Sequence, residues 1–77
     1  MMRHTPRTFV GTVVFRLAAP VDAVLGRVVE ARLAALPGIG SVGVDGAAGL
    51  VMVTARDPVE RADVLALLDG LGCVVAG

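Results

Sequence analysis

Between Phe9 and Ala76 the spacing of apolar residues switches repeatedly between the period of a strand and that of a helix. Glycine or proline stands near most of the switches. From Phe9 the side chains alternate. Phe9, Val13, Phe15 and Leu17 face one way and Val10, Thr12, Val14 and Arg16 the other, which predicts a strand. Val21, Val24, Leu25, Val28, Val29 and Leu36 then recur at helical spacing. Gly26 interrupts that stripe, at a cost of about 1 kcal/mol relative to alanine. Pro37-Gly38 closes the helix, because glycine accepts a left-handed cap and proline cannot continue it.

The second half repeats the theme. Val42 and Val44 face inward on a short strand, and Asp45-Gly46-Ala47-Ala48-Gly49 predicts a hairpin turn with glycine at its left-handed positions. Val51, Val53 and Ala55 face inward on the next strand. Asp57-Pro58-Val59-Glu60 has the composition of a helix start, with aspartate as cap and proline in the first turn. Pro20-Val21-Asp22 repeats that pattern, which predicts Pro20 as the first helical residue of helix 1. Val64, Leu67, Leu68 and Leu71 supply the second helix's buried stripe, Gly72 ends it, and Cys73 to Ala76 form a last strand. The order is βαββαβ, an α+β ferredoxin-like arrangement. It predicts a four-stranded antiparallel sheet ordered 4-1-3-2 with both helices on one face. That topology puts Cys73 at the same rim as Ala18 to Pro20. Residues 1–6 read as a flexible polar tail and 7–77 as a single domain.

A chain of 77 residues has room for one core. It is 56% hydrophobic and 18% charged, which excludes a disordered chain. Seven basic residues, all arginine, balance seven acids. A neutral domain lacks the electrostatic footprint of a nucleic-acid binder, and no polybasic cluster addresses a membrane surface. Membrane association is expected only if the chain belongs to a transporter. Arg3 and Arg7 before the apolar run Phe9–Phe15 imitate a signal peptide, but Arg16 interrupts the run and cleavage would remove the first strand. One cysteine, Cys73, permits no internal disulfide and fits a reducing, cytoplasmic location.

The run VVEARLAALPGIGSVGVD, followed by GLVMV, DPVERADVLALLDGLG and the terminal VVAG, resembles the heavy-metal-associated domain. That family comprises small copper chaperones and the amino-terminal modules of metal-pumping P-type ATPases. The resemblance extends from about Phe15 to Ala76 and is most specific at Val29-Glu30, Leu33, Leu36-Pro37-Gly38-Ile39, Val42, Val44 and Asp45. It implies a role in metal-ion transport or homeostasis. The family's metal site is a pair of cysteines, separated by two residues, in the turn that opens helix 1; two thiolates there suit Cu(I) or Zn. Counting back from Val29-Glu30 puts Asp22 and Leu25 at those positions and Pro20 where the family's packing methionine stands. Leucine coordinates nothing, and one carboxylate is a single hard ligand. The site is degenerate, and no cofactor is expected.

Cys73 and Asp22 are the remaining weak candidates for a metal. Cys73 falls where the family usually carries an aromatic residue, and a lone buried cysteine generally serves packing. Met1, Met2 and His4 lie on the tail, at the opposite rim. Gly38-Ile39-Gly40-Ser41-Val42-Gly43 spells a dinucleotide-binding pattern but follows a helix and enters a strand, the reverse of what phosphate binding requires. One histidine, one serine and one cysteine, scattered along the chain, offer no nucleophile with its base, so no enzymatic activity is expected. RNA recognition by this fold uses strand aromatics that stack bases, whereas Phe9 and Phe15 are predicted to lie beneath the helices.

The sheet face without helices is predicted to display Val10, Val14, Leu50 and Met52 among Thr12, Arg16 and Thr54. That is a rich apolar share for an open face, and it suggests docking of a protein partner or a second copy. Three functions follow. The first is a protein-interaction or regulatory module with a degenerate metal site. The second is a metal carrier with Cys73 and Asp22 as unusual ligands. The third is a small-ligand sensor resembling the ACT domains; their ligand turn usually carries glycine, and Ala18-Ala19-Pro20 has none.

Overall fold

A computed structural model describes residues 7–76. Strand β1 (Thr8–Arg16) leads through a loop to helix α1 (Ala23–Ala34). Strands β2 (Ile39–Asp45) and β3 (Leu50–Glu60) form a hairpin, and helix α2 (Arg61–Gly70) follows directly. The sheet has three antiparallel strands in the order β1-β3-β2. The expected four-stranded ferredoxin-like sheet ordered 4-1-3-2 is therefore incorrect. Among the described residues, the segment after α2 reaches the β1 side but makes only one bridge, Leu17 with Val75. Ala18 N–H donates to the Val74 carbonyl at 2.8 Å and Ala76 N–H to the Arg16 carbonyl at 2.7 Å. Cys73 N–H is committed to the Leu68 carbonyl at 2.9 Å, closing α2, so the first amide of this segment serves the helix cap and not the sheet.

The second correction concerns Asp57-Pro58-Val59-Glu60, which ends β3 instead of opening α2. Val59 pairs with Phe9 and Glu60 with Thr8, and Val59 is buried in the core. Burying that valine against Phe9 outweighs the local preference of an Asp-Pro pair for a helix start. The register shifts between Phe9 and Gly11, so Arg56, Asp57 and Pro58 bulge opposite Val10, and a bulge tolerates a proline with no N–H to give. Glu60 occupies the cap position of α2 without a side-chain bond, while Asp63 sits in the first turn, where the helix dipole favours it.

Phe15, Val51 and Val53 of the sheet pack with Val29 and Leu33 of α1 and Val64 and Leu68 of α2 in a single buried core. Phe9 and Phe15 are buried as expected and meet edge to face at 6.4 Å. Helix α1 is rotated from its predicted stripe. Gly26, Val29 and Leu33 face inward, whereas Val24 is 75% exposed and Val28 sits at the surface. Gly26 faces β2, where a Cβ would meet Val44 at an ordinary contact distance of 3.5 Å. Val21 precedes the helix and Leu36 follows it.

Candidate functional site

The turn that opens α1 is organised by backbone chemistry. Asp22 is the N-cap: its Oδ1 accepts the Leu25 N–H at 2.8 Å, satisfying one of the unpaired donors of the first turn. Asp22 and Leu25, the two positions where the sequence resemblance would set cysteines, thus form one capping interaction. Leu25 is half-buried against the core, and Pro20 lies outside the helix, ahead of the cap, not at its first position. The turn is also tied down from the side. Leu17 N–H donates to the Gly49 carbonyl at 2.7 Å, and Val21 N–H to the Gly46 carbonyl at 3.0 Å.

The β2–β3 turn uses its glycines differently from expectation. Gly49 is left-handed, with φ 68°, but Gly46 is not. Gly46 is small because the loop before α1 passes against it: a Cβ there would come within 2.5 Å of the Val21 carbonyl oxygen. Asp45 Oδ1 accepts the Ala48 N–H at 3.2 Å inside this turn.

Cys73 lies at the expected rim, since the next residue, Val74, is bonded to Ala18. Its role is to end α2. Gly72, at φ 81°, donates to the Asp69 carbonyl at 3.0 Å while Cys73 donates to Leu68. Those two bonds, with Cys73 and Leu68 both buried, make a Schellman cap and its accompanying apolar contact. Cys73 is 4% exposed, a free cysteine within the core. Among the described residues, no three His, Cys, Asp or Glu side chains group together to hold a metal. Met1, Met2 and His4 lie outside the described residues.

On the open face, Val10, Val14 and Met52 are at least half exposed, and Leu50 is half-buried. Met52 on the central strand is paired with Val14 on one side and Gly43 on the other, and Leu50 with Arg16 and Asp45. Gly43 leaves a groove of about 330 Å³ along Met52, Leu50 and Val14. Thr12 and Thr54 share a hydrogen bond of 2.9 Å beside it. Sequence periodicity found this face because it needs only alternation and strand order.

It missed a cleft of about 460 Å³ between α1 and the end of β2, lined by Asp22, Gly26, Arg27, Glu30, Val44 and Gly46. The available signal was a pair of small residues, Gly26 and Gly46, where two elements approach.

No protein-family model and no curated protein matches the chain. Among the described residues, no helix is long and apolar enough to cross a membrane.

Proposed function

We propose that this chain is a non-enzymatic, cytoplasmic protein-interaction module, related to the heavy-metal-associated domains but without their soft-metal site. The observation that carries the reading is the hydrogen bond from Leu25 N–H to Asp22 Oδ1. It assigns the would-be metal turn to helix capping, with no sulfur at either position. The burial of Cys73 in the cap of α2 supports the same reading, since a thiolate ligand has to leave that core to reach an ion. What the module offers a partner is the open sheet face around Val10, Val14, Leu50 and Met52, where an apolar row stands among threonines and charges.

The resemblance sets the context: a regulatory or docking element in metal-ion transport or homeostasis. The experiment is a Cu(I) competition titration against a chromophoric chelator. The reading expects the chelator to keep its copper when one equivalent of protein is added. Stoichiometric transfer of Cu(I) to the chain rejects it.

A further inference from the structure

We infer that the outer edge of β2 pairs with β2 of a second copy, antiparallel about Val42, so that the two sheets become one. The inference rests on the protein-interaction reading above and names the partner.

The direction of the main-chain groups follows from one bond. Leu17 N–H donates to the Gly49 carbonyl, which turns the odd-numbered residues of β3 toward β1 and the even-numbered ones toward β2. Gly43 and Asp45, opposite Met52 and Leu50, therefore bond inward to β3. Val42 and Val44 consequently point their N–H and C=O groups off the sheet. Gly46, next in that series, meets the Val21 N–H on this same edge. Among the described residues, the edge is thus closed at one end by Val21 and open along Val42 and Val44.

Protected edges carry lysine, proline or inward charge, and this one carries none before Asp45. Its residues Gly40, Ser41, Val42, Gly43 and Val44 are small or β-branched and uncharged. Gly43 lacks any local requirement: its φ is not positive, and a Cβ there would have nothing within 4 Å. A glycine inside a strand costs stability, so the bare position is a liability for the isolated chain.

The charges are self-complementary in this register. Rotation about Val42 sets the partner's Asp45 opposite Ile39, next to Gly40. The Arg56 side chain lies there, with its Cγ 2.8 Å from where a Gly40 Cβ would be. Each chain thus brings one Asp45 to the other's Arg56, and a two-fold interface requires such reciprocity. The groove at Met52 and Gly43 crosses the open face from Val14 to the β2 edge, so pairing extends the apolar face across both copies.

The test is sedimentation equilibrium of the whole chain over a concentration series, with amide exchange at Val42 and Val44. The expected result is a mass rising from 7.8 kDa toward twice that value, with both amides gaining protection as the concentration rises. Gly43→Lys, which sets like charges beside the two-fold axis, and Arg56→Glu, which opposes Asp45, should each hold the chain at monomer mass. Arg56 is exposed, so its variant remains informative if the strand variant fails to fold. A wild-type chain at 7.8 kDa throughout the series overturns the dimer. So does a dimer unaffected by either substitution. A monomer that leaves Cu(I) on the chelator refutes the second copy alone, whereas one that strips the chelator refutes the underlying reading.

Discussion

Gly46 lies against the carbonyl of Val21, closer than any other residue type allows. The Val21 N–H and the Gly46 carbonyl are bonded at 3.0 Å, so the loop before α1 and the β2–β3 turn are locked by backbone alone. Gly46→Ala forces a methyl group onto a carbonyl that cannot move without releasing that bond. The expected loss is about 1–3 kcal/mol, in the range of overpacked sites. At roughly 4–8 °C per kcal/mol for a domain of this size, thermal unfolding by circular dichroism resolves it. An unchanged midpoint contradicts the close approach.

Gly26 makes the opposite prediction from a superficially similar position. It is buried in α1, yet a Cβ there meets only Val44, at an ordinary 3.5 Å. Gly26→Ala should stabilise the chain by up to about 1 kcal/mol through helix propensity. A lower midpoint than wild type would mean that α1 needs the glycine in order to pack.

Asp22 acts as a cap, so its charge matters less than its oxygen. Asp22→Ala should lose about 1 kcal/mol, while Asp22→Asn keeps most of the stability because an amide oxygen accepts the same N–H. Equal losses from both substitutions would assign the effect to charge and remove the capping role.

Cys73 should behave as a core residue. Its thiol is expected to react with a disulfide reagent far more slowly in the folded chain than in guanidinium. Gly72→Ala strains a residue at φ 81°, costing about 1–2 kcal/mol, and should speed the reaction by loosening the cap. Immediate full reaction of the folded wild type contradicts the burial of the sulfur.

The first five elements, the buried aromatics and the open face around Met52 were legible because alternation is a local signal, while the expected fourth strand did not form. What escaped depended on competition between distant groups. Asp57-Pro58-Val59-Glu60 has a helix-start composition, and only the presence of Phe9 across the sheet makes it strand. The terminal segment reads as a strand because Val74 and Val75 favour one. Gly72 and Cys73 instead give their N–H groups to the cap of α2, a commitment set by the helix geometry and not by residue type. The rotation of α1 was hidden because Val24 and Val28 fit the apolar stripe as well as Leu33 does, and the approach of Gly26 to Val44 is not a sequence pattern. Asp22 was readable as helix-terminal chemistry, but its bond to Leu25 required geometry.

The most direct measurement compares wild type with the double substitution Asp22→Cys, Leu25→Cys in one Cu(I) competition assay. Asp22 caps α1 and Leu25 stands in its first turn, so the two cysteines would restore at this turn the pair that the heavy-metal-associated domains carry. The account predicts that the double variant takes one Cu(I) from the chelator and that the wild type takes none. Tight one-to-one uptake by the wild type would contradict it, and so would a folded double variant that leaves the chelator's copper untouched.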